Sequence, residues 1–225
     1  MAVLTEAQIQ EYALEFLRKY YERRAKGRCV LAVAEVRTVR GNRADGLLVW
    51  RHWLTGMVQV ASMEAKSHLT KSAIQPRFNL GQWLRNSLLA GVVVCALTGA
   101  FTLWYKVQSG WAWLLPLNVL IGSSMLYGLI TWRNPGHRRA RMMEQLGRYP
   151  GNFQWLAIPQ RVFKQLKAED RQALVRLCLI EGQGLLLVSG KRRVKVQCKP
   201  KRQRWWGNRV LAQYARAKQL LRQLG

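Results

Sequence analysis

Two apolar runs constrain this chain more than any other feature. Residues 88–107 (LLAGVVVCALTGAFTLWYKV) and 111–132 (WAWLLPLNVLIGSSMLYGLITW) each approach the ~20 residues that a helix needs to cross a bilayer. VQSG overlaps the end of the first run and leaves room only for a tight loop. The expected spans are therefore bounded by Leu88 and Val107, and by Trp111 and Trp132. Trp104, Tyr105, Trp111, Trp113 and Trp132 cluster near the ends, as aromatic side chains do at headgroup depth. Ala96 with Ala100, and Ser124 with Gly128, are small pairs at four-residue spacing, suited to close helix contact. A buried hairpin of a soluble protein shares this composition; the lengths and the aromatic belts favour a membrane.

The flanks set the expected orientation. Arg77 and Arg85 precede the first run; Arg133, His137, Arg138, Arg139 and Arg141 follow the second, and only Lys106 lies near the tip. Positive residues stay on the cytoplasmic side. The expectation is a two-pass protein of a prokaryotic inner or plasma membrane, with both soluble parts cytoplasmic. It divides the chain into 1–85, a hairpin over 86–133, and 134–225.

The 225 residues carry 37 Lys and Arg against 11 Asp and Glu, a formal charge of +26. Such an excess points to polyanionic partners, nucleic acid or membrane lipid. Cys29, Cys95, Cys178 and Cys198 have no metal-ligand spacing, which argues against a zinc site or a disulfide framework. Glu6 and Glu11 interrupt any apolar core in the N-terminal segment, so it does not read as a signal peptide.

Before the hairpin, residues 5–26 read as a helix capped by Thr5, with Ile9, Ala13, Phe16, Leu17 and Tyr20 on its core face and Glu6 near that face's edge. Residues 29–37 read as a strand, and Arg40, Gly41 and Asn42 as a turn. Two more strands occupy residues 43–67, giving an antiparallel meander. After the hairpin the pattern predicts a basic helix over 136–148, a strand over 153–158, a helix over 168–181, strands over 185–189 and 193–198, and a basic amphipathic helix over 208–224.

Asp45 opens the second strand and Glu64-Ala65-Lys66 closes the third. Side chains alternate along a strand, so Glu64 and Lys66 share a face with Val58, Val60 and Ser62, and Asp45 can meet them from the neighbouring strand. Between Glu22 and Glu144 the acids are Glu35, Asp45 and Glu64, all set among apolar residues. An unpaired buried charge is costly. Carboxylate oxygens suit a hard cation such as Mg²⁺ or Mn²⁺. Glu-x-Lys also occurs as an ordinary surface pair, and the context argues against that here.

This order of elements resembles the PD-(D/E)xK, restriction-endonuclease-like nucleases. The resemblance covers residues 5–85 and 136–200 and implies an α/β (α+β) fold: a mixed sheet flanked by helices, interrupted here by the two-helix transmembrane hairpin. It implies Asp45, Glu64 and Lys66 as catalytic residues, with Asp45, Glu64 and the Ala65 carbonyl as metal ligands. Glu35 is similar to an extra strand glutamate in a subset of the fold; it could complete the metal shell, hold Lys66, or pair with a strand arginine. Ala44 stands where many relatives have proline.

Lys191, Arg192, Arg193, Lys195, Lys199, Lys201, Arg202 and Arg204 form a basic run that suits a DNA backbone and equally an anionic lipid surface. Trp205 and Trp206 beside it can stack on bases or sit at headgroup depth. The expected function is a membrane-anchored, Mg²⁺-dependent DNA endonuclease, acting in defence against or processing of incoming DNA, and as a homodimer where both strands are cut. The alternatives are an inactive nuclease-like module that binds nucleic acid or a partner at the membrane, and a purely structural membrane protein.

Overall fold

The computed structural model describes residues 4–27, 29–67, 74, 77–104, 114–132, 138–190, 192–203 and 207–224. The chain divides into two compact units, Met1–Pro76 with Ala140–Gly225, and Arg77–Arg139. The expected boundaries at 85 and 133 thus shift outwards, because residues 77–78 and 138–139 pair as short strands within the second unit.

In chain order the first unit contains α1 (Glu6–Arg24), β1 (Val30–Arg37), β2 (Arg43–Arg51) and β3 (Val58–Ala65). The second contains β4 (Arg77–Phe78), α2 (Leu80–Trp104), α3 (Leu114–Thr131) and β5 (Arg138–Arg139). The first then resumes with α4 (Arg141–Gly147), β6 (Phe153–Pro159), α5 (Gln160–Gln165), α6 (Ala168–Ile180), β7 (Gly184–Val188), β8 (Val194–Cys198), α7 (Gly207–Leu211) and α8 (Ala217–Gln223).

One six-stranded mixed sheet, ordered β1-β2-β3-β6-β7-β8, forms the centre of the first unit. The pairs β1–β2, β2–β3 and β7–β8 are antiparallel; β3–β6 and β6–β7 are parallel. A parallel pair needs a crossover connection, so the residues between β3 and β6 must return the chain to the starting end. Helices cover both faces, which is why β3 is buried at every position. Ile9, Ala13, Leu17 and Tyr21 of α1 pack on Leu48, Trp50, Ala61, Met63 and Trp155. The other face buries Leu47, Val49, Val58, Val60, Leu156 and Leu185 beneath α4, α6, α7 and α8. The alternation read along β3 therefore holds, with Val58 and Val60 in one core and Ala61, Met63 and Ala65 in the other.

The Thr5 cap is a full capping box, with the Thr5 hydroxyl accepting from the Gln8 amide and the Gln8 side chain accepting from the Thr5 amide. Two expectations need correction. The basic helix over 136–148 starts only at Arg141, since Arg138 and Arg139 are in β5. The helix over 208–224 is two short helices, α7 and α8. Between them Gln213 accepts from the Val39 amide, Ala215 donates to Arg37, and Tyr214 bridges Thr38, so backbone groups needed for helix are spent on the end of β1. The sequence reading also passed over α5, which follows β6 at Pro159.

In the second unit α2 and α3, 25 and 18 residues long, are long and apolar enough to cross a membrane. Leu88 and Trp132 are exposed, as are most large apolar side chains of both helices. The contact between them centres on Gly91, where an added Cβ would come within 2.0 Å of Ser124 Oγ and 2.8 Å of the Leu120 carbonyl. Trp83 Nε1 donates to the Gly128 carbonyl at 3.1 Å. Ser124 and Gly128 thus lie at the helix contact as expected, whereas Ala96 and Ala100 are exposed and Gly91 supplies the close approach. Val107 and Trp111, with Tyr105, Lys106, Trp113, Arg133 and His137, lie outside the described residues.

Candidate functional site

Asp45 is the third residue of β2 and Glu64 the seventh of β3. The β2–β3 register runs from Arg51↔Val58 to Gly46↔Met63, so its continuation sets Asp45 opposite Glu64. Directly opposed residues on an antiparallel pair project from the same face. Asp45 Oδ2 accepts from the Ala65 amide at 2.8 Å, which closes the end of the ladder with a side chain. Gly46 beside it leaves room for α1: a Cβ there would come within 2.6 Å of Leu14 Cδ2. Gln10 of α1 donates to the Asp45 carbonyl.

Glu64 is 1% exposed. Its Oε1 accepts from Lys66 Nζ at 2.5 Å, while its Oε2 is buried without a hydrogen-bond partner. Burial first, and then the Asp45 charge, raise the Glu64 carboxyl; Lys66 only partly offsets them, and the result is a value of about 7. Burial also raises Asp45, against the opposing hydrogen bond from Ala65 and the Lys66 charge. Burial works against the Lys66 ammonium, but the hydrogen bond and charge of Glu64, with Asp45 and Glu6, hold it above its ordinary range. The Lys66 amide donates to Ala157 on β6 at 3.0 Å, so the lysine is fixed in the parallel ladder. The arrangement brings Asp45, Glu64 and Lys66 together at one sheet end.

Lys66 has a second ion partner, Glu6 Oε1 at 3.9 Å. The sequence placed Glu6 near enough to approach. Tyr149 was missed: it is buried, and its phenol is raised by burial and by the charges of Glu64 and Asp45, against the hydrogen bond from Gln145. Its only sequence signal was an aromatic residue between α4 and β6. Glu35 is not brought to Lys66. It has a left-handed backbone (φ 53), is 59% exposed, and pairs with Arg43 at 3.8 Å. The turned backbone drops it from the β1–β2 ladder between Ala34↔Gly46 and Val36↔Ala44, leaving the ordinary strand ion pair.

The basic run is divided between two ends of the sheet. β8 is antiparallel to β7, with Val194 opposite Val188 and Cys198 opposite Leu185. Arg192 and Arg193 therefore lie at the end where β3 and β6 finish, the end of Glu64. Lys199, Lys201 and Arg202 lie at the other, where Lys201 donates to Gly182, and Lys195 is exposed on β8 between the two. Lys191, Arg204, Trp205 and Trp206 lie outside the described residues.

Of the oxygens that the resemblance assigns to a cation, on Asp45, Glu64 and the Ala65 carbonyl, Glu64 Oε1 is taken by Lys66 and Asp45 Oδ2 by the Ala65 amide, while Glu64 Oε2 has no hydrogen-bond partner. Among the described residues no group of three or more His, Cys, Asp or Glu side chains closes on one point. Fold and geometry define a mixed α/β unit carrying a buried acid pair and a lysine at one sheet end, joined to a pair of apolar helices. No protein-family model, curated protein or solved structure matches the chain.

Proposed function

We propose that the protein is a metal-dependent nuclease of the PD-(D/E)xK, restriction-endonuclease-like kind. In this reading α2 and α3 tether it to a membrane, and it hydrolyses phosphodiester bonds of DNA on the cytoplasmic side. The observation that carries the reading is Glu64: a buried carboxylate with one oxygen on Lys66 and the other without a partner, facing Asp45 across a β-ladder. A structural ion pair gains nothing from that second, orphaned oxygen. A hard cation is the partner that satisfies it, and Mg²⁺ or Mn²⁺ fits a set of two carboxylates, a carbonyl and water. The meander leading into a parallel β3–β6 pair, with the acids on β2 and β3, suits the same reading.

Asp45 and Glu64 would hold the cation, with Ala65 supplying its carbonyl. When bound, the cation supplies Lewis-acid polarisation of the scissile phosphate. Lys66 keeps its proton under the influence of three carboxylates, so it orients the attacking water and stabilises charge on the phosphate oxygen. Glu6 restrains Lys66 from the α1 side. Arg192 and Arg193, exposed at the same sheet end, bind flanking phosphates.

Plasmid nicking by the detergent-purified chain tests this. Nicking is expected with Mg²⁺ or Mn²⁺, and is lost with EDTA and in Asp45→Ala. Lys66→Ala is expected to lose about 10²-fold or more. Retention of DNA without nicking would leave a binding module; nicking undiminished in Asp45→Ala would remove the site.

A further inference from the structure

The end of the sheet opposite the acid pair has a different surface. The β2–β3 hairpin turns there, about 20 Å of strand away from Asp45, and exposes Trp53, Leu54 and Met57. α6 finishes at the same end, since it leads directly into the start of β7, and exposes Leu179 and Ile180. Among the described residues of this unit, these are all the exposed large apolar side chains except Val39. Val39 follows β1 at the opposite end.

Cations lie at the same sheet end as this apolar group. Lys26, just past the end of α1, has its ammonium 3.4 Å from the Trp53 ring centroid. Arg51 reaches the hairpin carbonyl of Gly56. Lys199 and Lys201 are exposed beyond the end of β8. The acids nearby are Glu22, which pairs with Arg18 at 2.8 Å, and Glu181.

We infer that the hairpin tip and the end of α6 form a docking surface for an anionic lipid leaflet. Indole and aliphatic side chains sharing one sheet end with Lys and Arg match the depth profile of a headgroup layer, with apolar groups at the acyl boundary and cations on the lipid phosphates. Nucleic acid would use the cations but gives Leu54, Met57 and Ile180 nothing apolar to enter. The inference rests on reading α2 and α3 as spans, because a tether keeps the unit within reach of the leaflet. Docked this way, the acid pair points away from the lipid, and Lys199 and Lys201 serve the membrane rather than DNA.

The test uses the full chain with Cys29→Ser and Cys95→Ser, carrying an environment-sensitive fluorophore on Leu54→Cys or, separately, on Val39→Cys. Each is reconstituted into nanodiscs of phosphatidylcholine alone or with phosphatidylglycerol. The expected result is a blue shift of the Leu54 probe in anionic discs, smaller in neutral discs, with the Val39 probe unmoved. Equal emission from both probes in anionic discs overturns the docking while leaving the spans intact. Equal Leu54 shifts in both lipids overturn the role of the cations. A Leu54 shift produced by DNA in lipid-free detergent overturns the choice of lipid. A chain that fails to enter discs overturns the spans and the docking together.

Discussion

Glu64 must carry its charge where water does not reach it. Its folded-state value of about 7 lies above the ordinary 4.5, so the folded chain holds a proton that the unfolded chain has released between those values. Stability therefore falls as pH rises through this window, and the loss is complete above it. Asp45 is raised as well and acts in the same sense; Lys66 is raised and stays charged throughout the window. Measured against Glu64→Gln, the wild type should lose up to ~3 kcal/mol of relative stability across the window, read from denaturant midpoints without added metal. Bound cation reverses the sign. Mg²⁺ at about 100 times its Kd should raise wild-type stability by ~2.7 kcal/mol above neutral pH and leave Asp45→Asn unmoved in thermal melts. The three motif residues were legible because β-alternation and strand order suffice to bring them together. Glu6 and Tyr149 arrive from elements whose placement depends on packing across the sheet, and Glu35 left the group through one left-handed backbone angle that no spacing reveals.

Elements were legible where one local pattern decides them. α1 has its cap and apolar face in one segment, and β3 reads as a strand from its own residues. The break between α7 and α8 was not legible, because the competing partner of residues 212–216 is the end of β1. Tyr214 anchors that break: it is 1% exposed, and its hydroxyl donates to the Pro150 carbonyl at 2.6 Å. Tyr214→Phe removes the donor and leaves a buried carbonyl unsatisfied, for an expected loss of about 1–2 kcal/mol in chemical denaturation. In the helical pair the deciding position is Gly91, which the sequence did not single out because a glycine's neighbour across a helix contact lies in another segment. Gly91→Leu places a branched side chain where Ser124 and Leu120 already stand. The α2–α3 contact should open, lowering the detergent-resistant melting temperature while leaving the Asp45-dependent Mg²⁺ shift of the first unit in place.

At the scale of the molecule, a charge of +26 announces a polyanion but does not say which one. Composition has no direction, and the basic run looked continuous until the antiparallel turn of β8 divided it between two sheet ends. That division makes the two polyanions separable. Arg192 and Arg193 share an end with Glu64 and, on the reading above, contact DNA phosphates. Each phosphate contact contributes about 0.9 to the slope of log affinity against log salt on duplex DNA. Replacing both arginines with alanine should therefore flatten that slope by about 1.8 and weaken binding at every sequence tested, since phosphate contacts carry no sequence information. Arg192 also stacks on Tyr12 of α1, so the circular dichroism of the variant must match wild type for the slope to report DNA alone. Replacing Lys199 and Lys201 should act chiefly on the blue shift of the Leu54 probe in anionic discs. Fluorescence anisotropy of a labelled duplex across a salt series reads the first effect. An unchanged slope in the Arg192→Ala/Arg193→Ala chain would move the DNA track away from the acid pair and leave Lys66 without a substrate path.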